Sequence, residues 1–157
     1  MNIVLARIDD RLIHGQVATI WSKHTKCQRI LVCNDDVVKD SIRKTLLEQV
    51  APPGIKSSVV GIDEAIRAYG NPRYQEDRVL FLFTNPTDVL RMVQGGVPIK
   101  SVNIGGMSFK AGKKQITSVV SVDDTDIEAF KKLNEKDIEL EIRKISSDSK
   151  IDLMLKL

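Results

Sequence analysis

The chemistry available to this chain is concentrated in one run, Arg7-Ile8-Asp9-Asp10-Arg11-Leu12-Ile13-His14-Gly15-Gln16-Val17. Histidine is the side chain that works as base or nucleophile near neutral pH. Arginine presents a planar fork matched to phosphate oxygens, and the N-terminus of a helix offers free backbone N–H groups to an anion. His14 stands here among Arg7, Arg11, Asp9 and Asp10, beside Gly15, which permits close backbone approach. From such parts a phosphohistidine can be made, held and released. Each part also has a plainer reading, as a helix-start residue or a salt-bridged loop that only fixes the chain. Their crowding at one place is what favours chemistry.

The flanking patterns define that place. An apolar run, Ile3–Ala6, precedes it and a helical pattern, Gly15–Ser22, follows. It therefore reads as the loop from a first strand to a first helix, the usual ligand position in an open α/β sheet. Further strands are expected at Arg29–Val32, Lys56–Val60, Val79–Phe83, Ser101–Ile104, Ile116–Val120 and Glu139–Arg143. Helices are expected at Val37–Gln49, Asp63–Tyr69, Thr87–Gln94 and Thr125–Glu135. This alternation predicts an open, mostly parallel sheet with helices on both faces. The Val/Ile/Leu-rich strands fit burial from both sides. Asn85 is a candidate cap with Pro86 at the first helical position, Gly95-Gly96 ends that helix, and Ala51-Pro52-Pro53-Gly54 stops the one before. After Gly105 the alternation weakens, and Phe109–Lys113 reads as a turn between short strands, an antiparallel edge or hairpin.

In a parallel sheet the strand ends share one rim. Three loops fall on it: Arg7–Gln16, Thr84-Asn85-Pro86 and Gly105-Gly106-Met107.

Length and composition bound the rest. A chain of 157 residues suffices for one domain, spanning 1–157, and is too short for two ordinary ones. A formal charge of +3, without basic blocks or interleaved aromatics, gives no support to nucleic-acid binding. No apolar stretch nears the roughly 20 residues of a membrane span, and no signal segment opens the chain, so a cytoplasmic location is expected. Cys27 and Cys33 flank one predicted strand, which puts them about 20 Å apart, beyond disulfide reach; they read as buried or idle thiols. His24 reads as a surface residue at a helix end.

The histidine loop resembles the active-site segment of enzyme IIB of the mannose/fructose/sorbose family of the bacterial sugar phosphotransferase system (PTS). The likeness continues in Arg43–Leu47 with Gln49–Gly54, in Leu82–Val89, in Val102–Met107 and in Asp126–Leu133. These blocks cover nearly the whole chain in order, with a mild preference for mannose-type members after Ala51.

The resemblance implies a phosphotransferase with a phosphohistidine intermediate, of the protein-Nπ-phosphohistidine–sugar class. His14 would take a phosphoryl group from a partner IIA domain and deliver it to a sugar arriving through the membrane components IIC and IID, to which the chain would attach peripherally. It also implies that no metal or cofactor is needed, although Asp9, Asp10, Asp35 and Asp36, which follow the first two strands, leave a metal open on the sequence alone.

Arg11 is the expected phosphate clamp, completed by backbone N–H groups around Gly15 and Gln16 and by the hydroxyl of Thr84. Asp9 or Asp10 is expected to pair with Arg11 or Arg7 and orient the loop. His14 should be exposed on the rim, in a positive field from Arg7, Arg11, Lys110, Lys113 and Lys114. The rival class is a receiver-like domain with Asp9-Asp10, an Asp63 phosphoacceptor and Thr84, but no lysine accompanies Gly105-Gly106-Met107 where that class expects one. Acid lability with alkali stability would mark a phosphohistidine. The sugar and the oligomeric state, including a homo-oligomer, are not legible. Met1 lying directly before the first strand suggests a IIB separate from its IIA.

Overall fold

Strands that bury both faces need helices on both, and the chain supplies them. In the computed structural model, which describes residues 1–157, β1 (Asn2–Asp9) lies between β4 (Arg78–Phe83) and β5 (Ser101–Gly106), parallel to each. With β2 (Arg29–Cys33), β3 (Lys56–Val60), β8 (Glu139–Ile142) and β9 (Ile151–Asp152) they form a seven-stranded sheet in the order β3-β2-β4-β1-β5-β8-β9. Only β9 runs antiparallel, at the edge beside β8.

β4 shows why the runs are unbroken. Val79, Phe81 and Phe83 pack into one core, Leu80 and Leu82 into the other. The period of two sends successive side chains to opposite faces, and both are dry. The larger core is closed by α3 (Ile62–Tyr69), α4 (Pro86–Gln94) and α5 (Asp124–Glu135). The smaller is closed by the segment after β1, a π-helical turn Val17–Trp21 running into α1 (Ser22–Thr25), and by α2 (Ser41–Gln49).

The expected fold stands, with local corrections. The single helix Val37–Gln49 is two: a 3-10 turn at Val37–Lys39, then α2, divided at Asp40, whose extended backbone lets its carboxylate accept from the Arg43 N–H and cap α2. Ile116–Val120 is not a strand. It is the connection between β6 (Lys114–Gln115) and β7 (Ser121–Val122), an antiparallel hairpin that turns here and not at Phe109–Lys113, which instead leads into β6. Gly105-Gly106 continues β5 rather than looping, and Met107 bridges to Val120, which carries the hairpin onto the rim. The α4 cap is as read: Asn85 accepts from the Asp88 N–H at 2.8 Å, with Pro86 opening the helix. No helix is long and apolar enough to cross a membrane.

Candidate phosphoryl-transfer site

β1 extends three residues beyond the predicted strand, so Arg7, Ile8 and Asp9 belong to the sheet, and the loop proper begins at Asp10. The chain then turns through Leu12, whose φ of 63° is left-handed. A non-glycine residue there costs about 1–2 kcal/mol. Leu12 is fully buried with Ile13, Val17 and Trp21, and burying a leucine returns roughly that amount. Its N–H also donates to the Asp9 carbonyl at 2.9 Å. The turn lifts His14 to the helix start, where its carbonyl accepts from Ala18 N–H. The N–H groups of Gly15, Gln16 and Val17 are thereby left without intrahelical acceptors.

Asp9 is the hub. Its carboxylate is buried and accepts from Arg7 Nη2 at 3.0 Å, from Arg11 Nε and Nη2 at 3.1 Å each, and from the Arg11 backbone N–H at 3.2 Å. It also meets Nε2 of His14 at 3.0 Å. Burial alone would push the Asp9 carboxyl up. The hydrogen bonds from Arg11 and His14 and the charge of Arg7 outweigh burial and hold it below the ordinary carboxylate range. Two guanidinium charges against one carboxylate leave a net single positive charge beside the imidazole. His14 keeps 22% of its side-chain surface, so the ring is reachable from solvent.

Arg7 is not a surface charge. Expected to add to the steering field, it is fully buried, and burial pulls its guanidinium pKa down, against the pull of Asp9. It donates to Asn103 Oδ1 at 2.5 Å and to the carbonyls of Arg143 and Lys144, and lies over the Trp21 ring at 5.0 Å. Gly105 makes the space: a Cβ there would overlap the Arg7 guanidinium. Asn103 in turn donates to the buried Glu141, which also binds Arg143.

The remaining expected residues scatter around the rim. Asp10 turns away from the arginines and accepts from Ser108 N–H and hydroxyl at 2.7 and 2.9 Å, tying the loop to the end of β5. Gln16 accepts from Arg11 Nη2 at 3.4 Å. Thr84, after β4, accepts from Asn34 at 2.8 Å and Asn85 at 3.1 Å; with both lone pairs engaged its hydroxyl hydrogen is free to donate. Lys110 and Lys114 are exposed, but Lys113 is bound to Asp126 at 3.0 Å and is no free surface cation.

Asp35 accepts from Ile62 N–H and from Arg91, and Asp36 is exposed. His24 is exposed near the end of α1, and both cysteines are buried and free. The receiver-like reading is not supported. Asp63 is a helical residue, 81% exposed, paired at 3.8 Å with Arg91.

Sequence reasoning missed Trp21, Asn103, Ser108, Glu141 and Arg143. A signal existed for two of them. Asn103 in Val102-Asn103-Ile104 and Glu141 in Leu140-Glu141-Ile142 are polar positions inside runs expected to be buried on both faces, and buried polar groups must find partners.

An open α/β sheet with a histidine, two arginines and an aspartate gathered at one strand end is an arrangement whose chemistry suits an anion at that rim. Comparison with known proteins narrows this. The model of the PTS sorbose subfamily IIB component matches residues 3–157. The mannose-specific EIIAB component of Escherichia coli K12 is 61% identical over 98% of this chain, which spans 48% of that relative's length. The sorbose-specific EIIB component of Klebsiella pneumoniae is 53% identical over all of this chain and 96% of its own. The crystal structure of the IIBSor domain of the sorbose permease from Klebsiella pneumoniae superposes with a TM-score of 0.97 at 53% identity, covering 99% of this chain and 96% of that one. The chain belongs to the sorbose subfamily of PTS IIB components.

Proposed function

We propose that this chain accepts a phosphoryl group from a phosphohistidine on a IIA domain at Nδ1 of His14, and passes it to a sugar presented by the membrane components IIC and IID. The observation that carries the reading is the contact between Asp9 and Nε2 of His14 at 3.0 Å. Asp9 is ionised, and a carboxylate can only accept. Nε2 therefore carries the hydrogen, and Nδ1 keeps the lone pair that attacks phosphorus.

In the first transfer the Nδ1–P bond forms as the donor's N–P bond breaks, and the donor nitrogen keeps the electron pair. No proton moves. In the second, a sugar hydroxyl oxygen bonds to phosphorus, the P–Nδ1 bond breaks, and the hydroxyl proton leaves to water. Phosphoryl transfer needs alignment and charge stabilisation more than covalent help. Arg11 supplies both. Its Nε/Nη2 edge is held by Asp9, while Nη1 has no protein partner and is open to a phosphoryl oxygen. The N–H groups of Gly15 and Gln16 and the Thr84 hydroxyl complete the donor set. Asp9 and Arg7 orient the loop from beneath, and Asp10 does so through Ser108.

The chain would work on the cytoplasmic side, held to the membrane through IIC and IID, with no cofactor. The test is incubation with the general phosphotransferase proteins, a matching IIA and labelled phosphoenolpyruvate. The label should be acid-labile and alkali-stable, map to His14, and give the Nδ1 isomer by nuclear magnetic resonance. His14→Ala should take up none, and His24→Ala should match the parent. Full labelling of His14→Ala would sink the reading, and an Nε2 adduct would sink the role given to Asp9.

A further inference from the structure

Beside the histidine loop, on the β5 side of the rim, lies an open cleft of about 370 Å3. Its walls are the loop (Asp10, Arg11), the chain leaving β5 (Ser108, Phe109), the β6–β7 hairpin (Gln115, Ser118, Ser121) and Lys144. The polar groups here divide into two sets. Asp10 and Ser108 satisfy each other and build a wall. The others have no protein partner: Nη1 of Arg11, the Lys144 ammonium, the Gln115 amide, and the hydroxyls of Ser118 and Ser121. Ser121 is only 3% exposed, yet it lines the cleft with its hydroxyl unused. With no protein partner, that hydroxyl faces the cleft and is available to bond whatever enters it.

Two more features narrow the ligand. Phe109 is 66% exposed and is the one aromatic among the large apolar side chains left in solvent. The backbone of Lys144 is fixed, since its carbonyl accepts from both Trp21 Nε1 and Arg7 Nη2. The cleft wall is thus tied to the buried network beneath His14. The free Lys144 ammonium and the unengaged Nη1 of Arg11, whose other edge is held by Asp9, call for an anion. A bare anion could take some of the hydroxyl and amide donors but would have no use for the aromatic face, whereas a polyhydroxylated ring carrying the anion uses all of them.

We propose that this cleft is a subsite for the sugar as its phosphate ester. The phosphate lies between Arg11 and Lys144, the ring rests on Phe109, and ring hydroxyls bond Gln115, Ser118 and Ser121. The assignment rests on the reading of His14 as a phosphoryl carrier, because Arg11 serves both places. It makes the sugar phosphate a ligand of this chain and not of the membrane components alone.

The test is titration of the unphosphorylated protein with mannose 6-phosphate, inorganic phosphate and free mannose, followed by residue-resolved magnetic resonance. Mannose 6-phosphate should shift Ser108, Phe109, Ser118 and Ser121 saturably, with a Kd of about 1 mM. Lys144→Ala and Phe109→Ala, both at exposed positions, should each weaken it at least about fivefold, and their spectra report whether the fold is kept. Inorganic phosphate and free mannose should each bind at least about tenfold more weakly.

The assignment is overturned if the cleft residues do not shift or if both variants bind like the parent. Equal binding of inorganic phosphate overturns it as well, since the cleft would then hold an adventitious ion only. Label uptake by the parent from IIA is measured separately. A protein that is labelled on His14 but ignores the sugar phosphate loses the subsite and keeps the carrier role. A protein that binds the ester but takes no label does the reverse.

Discussion

A single carboxylate sets the state of three basic side chains, which makes Asp9 the position where charge can be tested most directly. Asp9→Asn keeps the size but leaves Arg7 buried without a counter-charge. Breaking one side of a buried pair costs about 3–5 kcal/mol, so urea unfolding of the variant should show a loss of that order. The pH dependence has a definite sign. The carboxyl of Asp9 is held below its ordinary value in the folded state, so its contribution is fully present above the ordinary range of about 4. That contribution is lost as pH falls through the lower folded value. The variant should therefore show a shallower loss of stability between about pH 5 and about pH 2; parallel acid limbs would remove Asp9 from the account. Arg11 offers the complementary test. Arg11→Lys keeps the charge but loses the fork that grips Asp9 with one edge and presents Nη1 on the other. Phosphotransfer should slow roughly ten- to a hundredfold, or about 1.4–2.7 kcal/mol, with binding of IIA little changed.

At the level of elements, the site depends on β1 and β5 being packed closely enough to enclose an arginine. Gly105 stands where any Cβ would collide with the Arg7 guanidinium. Arg7 cannot yield cheaply, because Asn103, Asp9 and the carbonyls of Arg143 and Lys144 all hold it. Gly105→Ala should cost about 3 kcal/mol by overpacking and lower the melting temperature, whereas Gly15→Ala, with open space around its Cβ, should not. An unchanged melting temperature for Gly105→Ala would show that the network can rearrange. The same pair of strands marks what the sequence could convey. Period and punctuation placed β2, β3, β4 and α4 within a residue or so, because burial on both faces and the Asn85-Pro86 cap are local signals. The end of β1 was misplaced because Arg7 and Asp9 look like loop residues, and their burial is supplied by Asn103, Trp21 and the chain after β8, all far off in sequence. The candidate nucleophile was legible from His14 and its neighbours. The cleft was not, since its walls come from four separate segments. The break at Asp40 had a local signal, an aspartate ready to cap, that the helical period of the flanking residues masked.

On the scale of the whole molecule, the formal charge is only +3, so any steering must come from where the charges sit. The structure divides the expected basic residues. Arg7 is buried against Asp9, and Lys113 is locked to Asp126 between the hairpin and α5, where it holds elements together rather than facing a partner. Lys110 and Lys114 are exposed near the hairpin whose far end reaches the rim, and Arg11 is 46% exposed at the loop itself. A phosphorylated donor carries negative charge, and cations around its landing site raise the association rate until salt screens them over about 10 Å. Lys110→Gln with Lys114→Gln should thus slow phosphoryl transfer from IIA several-fold at low ionic strength, and the gap should close near about 0.5 M salt, where screening is nearly complete. Lys113→Gln should behave otherwise. It leaves Asp126, a buried capping residue of α5, without its cation, so it should lower the melting temperature while transfer at low salt stays near the parent's. Stopped-flow transfer measured across a salt series separates the two kinds of lysine. If the double variant matches the parent at low salt, docking is governed by the histidine loop and its immediate neighbours, and the hairpin takes no part in steering.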